Sequence, residues 1–562
     1  MLGRIKNTFG NSWMWLIALL FAALIYRLGA LWFALPYANV FGDELPHTIA
    51  AFNLLEKKTI IASFPFYYLP PLMAYILAPI FALIGVVGIA IGSFADLAAF
   101  KGFVLLYREY FLAVSRVISA LFGVATIPVL FLLTRKLFNS TVAWIAIILF
   151  AFDFWNIHEA QIGHIWSPMI FFMVASFYYF YVVYESGARK SDHVMSGLLM
   201  GLGYGMGQIP IILYVWYALA YALSKIKNNK NFIFGSAIFA ALVVAFSVLN
   251  TETFINHFSS SIQSIAKLFG YKFASLPYAP KIARFSLANN WHVITWAFFN
   301  NNPFTAVLGA MGLALIACKK RVQYTTTVVV GFPIFYLALF SFVFYSFTYR
   351  YIMPALLFFI IGEAYFIYVI SQYVERGRRI TLVVLAGIVL SYSIALDTLY
   401  FTALQKPYTE SSAIEWIYKN IPERSKIVSG AYITPNKAAI DFLRSHSGWA
   451  DSRKMYLASL PDAQYPHPDY FVIESNLLDI TKLTAQEREV DYLYIRYYNR
   501  DHLAENHLEL FPDRKLVVSF YPKETVEDIS NPFNMDARGS LLEYFWSLEA
   551  LGPYTEIYRI GK

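Results

Sequence analysis

Two adjacent carboxylates, Asp43 and Glu44, follow Gly42 and precede Leu45, Pro46 and His47, just after the first long apolar run. Carboxylates beside a membrane surface are costly to desolvate, so they seldom arise as packing residues. Asp43 could take a proton from an acceptor hydroxyl as a general base, and Glu44 could position substrate. A solvated loop with two ordinary acids is the plainer reading of the dipeptide alone. The run also has part of the pattern of a zinc-protease helix. The first histidine is missing, however, and Pro46 interrupts the helix, which leaves too few ligands for a metal.

These residues need elements to hold them, and the composition says which. The chain has 562 residues and is 58% hydrophobic, above the roughly 45–50% of soluble domains. The excess falls in blocks of about 17–25 residues, the length that crosses a hydrocarbon core of about 30 Å. The blocks are 12–35, 109–133, 142–155, 166–184, 194–208, 209–223, 232–249, 303–317, 324–345, 351–373 and 380–400. The sequence thus predicts a polytopic α-helical membrane protein of about eleven spans with outer-face juxtamembrane helices. The first block is too long for a signal-peptide core and is read as a retained span. The stretch 66–92 is expected to be an outer-face helix that does not cross, because Pro70, Pro71 and Pro79 suit a helix start and a kink.

Orientation follows from charge. Arg4/Lys6, Arg135/Lys136, Arg189/Lys190, Lys225/Lys227/Lys230, Lys319/Lys320/Arg321 and Arg376/Arg378/Arg379 form basic clusters, which collect on the cytoplasmic side. The spans then alternate with the N-terminus in the cytoplasm of a plasma-membrane protein. Segments 36–65, 156–165, 250–302, 346–350 and everything after 401 lie outside. These outer segments hold His158, Glu159, His164, Tyr349 and Arg350. A loop of about 50 residues between spans, such as 250–302, is more often functional than idle. The net charge of +8 is accounted for by topology, and no basic stripe interleaved with aromatics suggests nucleic acid. The single cysteine, Cys318, excludes an intrachain disulfide and a cysteine-based zinc site.

From residue 403 the composition changes. A helical apolar spacing at Ile414, Ile417 and Ile421 is followed by β-rich runs at 427–433, 470–474, 490–496, 516–521 and 556–560. The expectation is a membrane domain at 1–402 and a soluble, extracytoplasmic α/β domain at 403–562, long enough for its own core. Tyr494, Tyr497, Tyr498, Phe520 and Tyr521 could offer a sugar-binding face, but aromatics at strand spacing are more often core.

Several motifs occur in a fixed order. Asp43 and Glu44 come first, then Phe66-Tyr67-Tyr68-Leu69-Pro70-Pro71, Arg116-Val117-Ile118-Ser119-Ala120-Leu121-Phe122-Gly123, and Tyr349-Arg350-Tyr351-Ile352-Met353-Pro354. Together they resemble the C-type (GT-C fold) membrane glycosyltransferases, in particular the protein O-mannosyltransferase and aminoarabinose-transferase-like group, over roughly residues 40–354. The resemblance implies transfer of a sugar from a polyprenyl-phosphate donor in the outer leaflet to an acceptor, whether protein, lipid or glycan. It implies Asp43 as general base with Glu44 beside it in substrate binding, and Arg350 and Arg116 as candidates for the donor phosphate. It also implies a site lined by His47, Tyr68, Pro70, Pro71, His158, Glu159, His164 and Tyr349. A lipid phosphate at the interface needs a fixed cation, and arginine offers a fork to its oxygens. An arginine snorkelling at the interface is the alternative reading of Arg350, and its Tyr-Arg-Tyr setting at a short outer loop weighs the two about equally.

The sequence departs from the family pattern twice. Ser167 stands where relatives carry a second acid, which leaves Asp153, His158, Glu159 and His164 as substitutes. No cofactor is called for, and a divalent metal is the less favoured option. Leu69 stands where relatives carry a cation before the paired prolines, so Lys272, Lys281, Arg284 and His292 are further candidates to assist the phosphate. The alternative function is a carrier or flippase, or a non-catalytic binder, of lipid-linked sugar. Against a carrier, the spans show no evident charge relay at mid-bilayer, where transporters place their sites.

Overall fold

The computed structural model describes residues 13–37, 44–62, 70–186, 189–249, 287–318, 323–343, 348–374, 377–447, 451–498, 503, 507–523 and 539–561. Asp43, Tyr68, Leu69, Lys272, Lys281 and Arg284 lie outside the described residues. The chain forms two units, one of Met1–Leu31, Asp43–Ala82 and Ala113–Thr398, the other of Trp32–Gly42, Leu83–Leu112 and Leu399–Lys562.

The chain is a helical, multi-pass integral membrane protein. Among the described residues seven helices are long and apolar enough to cross a membrane, Leu72–Ala90 and Tyr110–Leu137 being the first two. The count reaches nine if each of two bent pairs is one span. The expected eleven differ from these nine because Trp13–Leu28 and Ile209–Leu223 are apolar but short, the expected span 194–208 lies in the 17-residue helix Lys190–Met206, which does not qualify, and Leu72–Ala90, expected not to cross, does qualify. Pro70 and Pro71 stand directly before Leu72–Ala90, as a helix start predicts, while Pro79 lies inside that continuous helix. Its 19 residues suffice to cross, whereas the prolines alone favour a helix that stays on the outer face.

The bent pairs are Ser140–Ala151 with Phe154–Gln161, at 53°, and Leu287–Asn301 with Pro303–Cys318, at 107°. Each break has a local cause. Asp153 caps the second helix by accepting from the Asn156 backbone at 3.0 Å, and Pro303 cannot donate into a preceding turn. The two breaks hold each other. Asn301 Nδ2 donates to Asp153 Oδ2 at 2.5 Å, and the Trp155 backbone N–H donates to Asn301 Oδ1 at 3.0 Å. Backbone groups freed at a break inside a membrane must be satisfied by such partners.

Close helix contact in this unit depends on glycine. A Cβ placed on Gly312 would lie 1.8 Å from the Gly362 carbonyl oxygen, so Pro303–Cys318 and Met353–Gln372 meet backbone to backbone. Small residues let membrane helices approach this way. Gly312→Ala is therefore expected to cost about 1–3 kcal/mol and to lower the thermal unfolding temperature in detergent. Gly387→Ala, where nothing lies within 4 Å of the new methyl, is the control and should leave it unchanged. Equal unfolding temperatures for the two variants would contradict the packing.

Arg27, Glu363 and Asp397 lie within the predicted spans and are buried in this unit, at 1%, 0% and 1% exposure. Glu363 accepts from Thr305 Oγ1 at 2.7 Å, and Arg27 donates to the Ala151 carbonyl at 2.9 Å. Neither oxygen of Asp397 has a hydrogen-bond partner among the described residues. The spans therefore do contain buried charge-bearing side chains.

The second unit contains a five-stranded mixed sheet: β1 (Lys426–Ser429), β2 (Phe471–Glu474), β3 (Tyr492–Tyr497), β4 (Arg514–Phe520) and β5 (Tyr554–Ile560), ordered β2-β1-β3-β5-β4. β1 pairs in parallel with β2 and β3, while β5 is antiparallel to β3 and β4. The five apolar runs seen in the sequence each overlap one strand. Ile414 and Ile417 of the helix Thr409–Asn420 pack on Ile427, Tyr470, Tyr494 and Ile557 in one core. Tyr494 and Tyr497 are buried, and Tyr521 donates to Glu556 Oε1 at 2.5 Å. Tyr494 and Tyr497 are thus core, while Tyr498, Phe520 and Tyr521 are half-buried. The unit also takes in the segment Leu83–Leu112, where Glu109 accepts from Arg453 Nη1 at 2.8 Å.

Candidate active site

All the described site candidates lie in the first unit. Glu44 opens the helix Glu44–Glu56, where a carboxylate suits the positive end of the helix dipole. Its side chain is wholly buried. Oε1 accepts from Arg116 Nε at 2.9 Å and from the Gly163 backbone N–H at 2.6 Å, and Oε2 accepts from Arg116 Nη2 at 2.9 Å. Arg116, in the first two turns of the membrane helix Tyr110–Leu137, donates its remaining nitrogen, Nη1, to the Ala30 carbonyl at 2.7 Å. Every nitrogen of this guanidinium already has an acceptor. A two-bond arginine–carboxylate pair is geometrically strong, and burial makes it intolerant of losing either member.

The pair fixes its surroundings. Gly163 lies so close that a Cβ there would stand 2.6 Å from the Ser115 Cβ, so only glycine lets this loop reach Glu44. Thr48 Oγ1 and Ser115 Oγ are 3.1 Å apart, and the His47 and His164 rings have centroids 5.4 Å apart. Ser119 Oγ donates to the carbonyls of Glu159 and His164 at 3.3 and 3.4 Å, tying this cluster to the next.

The second cluster gathers at the short helix Phe154–Gln161. Glu159 Oε1 accepts from the Tyr349 hydroxyl at 2.8 Å and stands 3.6 Å from His158 Nδ1. The Tyr349 hydroxyl is also 3.4 Å from His158 Nδ1. Trp155 stacks on the Tyr349 ring at 4.1 Å and 22°, and its indole N–H donates to the Ala297 carbonyl at 2.9 Å. Arg350, next to Tyr349, is 8% exposed, and its positive charge acts on Glu159. The second oxygen of Glu159 has no hydrogen-bond partner among the described residues. A buried carboxylate with one satisfied oxygen and one open one can accept a hydrogen bond or proton from a hydroxyl.

The structure therefore brings together Glu44 with Arg116, His47 with His164, and His158, Glu159, Tyr349 and Arg350. Pro70 and Pro71 are buried directly ahead of Leu72–Ala90. The framework residues Trp155 and Asn301 were not singled out from the sequence, and Asp153 was noted there only as a substitute acid. Their signal is an Asp-x-x-Asn cap at 153–156 and the triplet Asn300-Asn301-Asn302 between two apolar runs, which marks helix breaks. Among the described residues, only Glu423, His467 and Asp469 form a trio of His, Asp or Glu with ligand atoms within 4.8 Å of one another, and these belong to the second unit.

Fold and site together define a multi-pass membrane protein whose buried polar centre is built on helix breaks and the turn Tyr349–Ile352. The family model for Dolichyl-phosphate-mannose-protein mannosyltransferase matches residues 107–258 of the chain. No curated protein matches the chain. Among solved structures, ArnT from Cupriavidus metallidurans bound to undecaprenyl phosphate is similar at 13% identity and a TM-score of 0.49, covering 90% of this chain and 96% of that one. The Archaeoglobus fulgidus oligosaccharyltransferase in complex with Zn and sulfate is similar at 13% identity and a TM-score of 0.46, covering 87% of this chain and 69% of that one. The S. cerevisiae protein O-mannosyltransferase Pmt1-Pmt2 complex bound to the sugar donor gives 17% identity and 0.31, covering 44% and 34%.

Proposed function

We propose that this protein transfers a sugar from a polyprenyl-phosphate donor to an acceptor on the outer face of the membrane. The observation that carries this reading is the meeting of Glu159, in the family-matched segment, with the Tyr349–Arg350 turn. It sets a buried cation, a hydroxyl, an imidazole and a half-open carboxylate side by side. Arg350 holds the phosphate of the donor. Asp43 takes the proton from the acceptor hydroxyl as its oxygen bonds to the anomeric carbon. The bond from that carbon to the phosphate oxygen breaks, and polyprenyl phosphate leaves. Glu159 and Tyr349 hold sugar hydroxyls. Glu44 and Arg116 position the start of the helix that follows Asp43, because their hydrogen bonds are used on each other and on the backbone. The membrane domain, 1–402, carries the chemistry, and 403–562 lies outside with a role in acceptor choice.

Donor titration tests the phosphate role. Arg350→Ala should weaken the apparent affinity for polyprenyl-phosphate sugar about 10–150-fold at saturating acceptor, the equivalent of about 1.5–3 kcal/mol for a charge-assisted contact. An unchanged donor affinity would return Arg350 to a snorkelling role. Topology is tested by cysteine labelling from outside in a protein lacking Cys318. Labelling is expected at positions 43 and 482, the latter with an 82% exposed side chain, and protection at position 227, and the reverse pattern would overturn the orientation. The carrier reading draws on the buried Arg27, Glu363 and Asp397. It is separated from the enzyme by the Asp43 variant, to which a carrier would be indifferent.

A further inference from the structure

The second unit holds a cavity of about 280 Å³ lined by four tyrosines, Tyr37, Tyr107, Tyr418 and Tyr432, together with Glu109 and Arg453. Its volume sits at the small end of ligand sites, which run from about 300 Å³ upward. Arg453 is held rigidly. Nη1 donates to Glu109 Oε1 at 2.8 Å, Nη2 donates to the Leu106 carbonyl, and the guanidinium lies 3.8 Å over the Tyr432 ring. Its Nε–H is buried and has no hydrogen-bond partner among the described residues. The Tyr418 hydroxyl lies 3.0 Å from Thr434 Oγ1 and accepts from the Thr434 backbone N–H at 3.1 Å, which fixes that ring as well.

The chemistry of this lining selects its ligand. Tyrosine rings present apolar faces with polar edges, which match a sugar ring with C–H groups on its faces and hydroxyls around its rim. The charge of Arg453 is already balanced by Glu109, so an anion would find no net positive charge. Neutral hydroxyls and ring oxygens need no counter-charge and can meet the polar edges of the tyrosines. Burial pushes the Tyr432 hydroxyl up, so the ring adds no negative charge at neutral pH.

We propose that this cavity binds one neutral sugar ring of a glycan acceptor. The inference builds on the glycosyltransferase reading and narrows its acceptor from protein, lipid or glycan to a glycan-bearing molecule. In that role the C-terminal unit selects the acceptor by a sugar remote from the hydroxyl that is modified.

The test is saturation-transfer NMR on the full-length protein in detergent, with methyl glycosides of mannose, glucose, galactose and arabinose as separate probes. At least one should receive saturation, and Tyr432→Ala should weaken its binding roughly tenfold while Tyr432→Phe binds as the parent does. Tyr107→Ala provides a second reading, since Tyr107 is 41% exposed and its loss leaves the core intact; it too should weaken binding. Release of polyprenyl phosphate from donor is measured on the same preparations. Failure of every glycoside to bind, binding unaffected by Tyr432→Ala and Tyr107→Ala, or displacement of the glycoside by inorganic phosphate would overturn the inference. If donor is cleaved but no glycoside binds, the cavity inference alone fails. If glycosides bind at the tyrosines but donor is never cleaved, the cavity stands and the transferase reading falls.

Discussion

Asp43→Asn is expected to reduce sugar transfer to about 1% of the parent or less at unchanged expression, since a general base typically contributes 10²–10⁴-fold. The amide keeps the shape of the carboxylate and cannot take a proton. Glu44, the adjacent carboxylate, cannot substitute, because both its oxygens are bonded by Arg116 and one also by the Gly163 N–H. The measurement is transfer to acceptor by equal amounts of purified parent and variant. Activity within a factor of two of the parent would remove Asp43 from the mechanism.

The second large effect falls on stability. Removing one member of the buried Glu44–Arg116 pair leaves the other charge desolvated and alone, at a cost of about 3–5 kcal/mol. Arg116→Met and Glu44→Gln alone should therefore each lower the yield of folded protein and its unfolding temperature sharply. Arg116→Met is the worse of the two, because it strands a carboxylate at 0% exposure. The double variant Glu44→Gln/Arg116→Met should recover part of the loss, since no buried charge remains. A role for Arg116 in holding donor phosphate predicts the opposite: normal stability with weakened donor binding. Unfolding temperatures for the two single variants and the double variant decide between these outcomes.

Much of the fold is written in local pattern. Apolar blocks of bilayer length mark most of the membrane helices, and each strand coincides with a β-rich run. The differences arise where local pattern and tertiary packing separate. Trp13–Leu28 and Ile209–Leu223 are apolar but too short to count as full spans on their own. The segment Leu83–Leu112 reads as membrane-proximal, yet it belongs with the C-terminal unit, because Glu109 meets Arg453 across 344 positions of sequence. No periodicity encodes such a contact.

The site was legible in kind and not in pairing. His158, Glu159, His164, Tyr349 and Arg350 stand out as polar residues at span ends, and the structure places four of these five in one cluster. Arg116 also stands out, but its use could not be read. Its partner Glu44 lies 72 positions away, and a guanidinium turned toward a phosphate has the same sequence signature as one turned into the protein. The framework under Tyr349, made by Trp155 and Asn301, was hidden for a related reason. Tryptophan and asparagine near a span end are commonplace, and only the 53° and 107° helix breaks give them a structural task.

Glycosyl transfer from a lipid-phosphate donor can be followed in a reconstituted membrane. The purified full-length chain is placed in liposomes containing a polyprenyl-phosphate sugar, and formation of free polyprenyl phosphate is followed alongside the Asp43→Asn and Arg350→Ala proteins. The account predicts donor cleavage by the parent, loss to about 1% or less with Asp43→Asn, and a raised donor requirement with Arg350→Ala. Movement of intact lipid-linked sugar between leaflets without cleavage, undisturbed by Asp43→Asn, would contradict it.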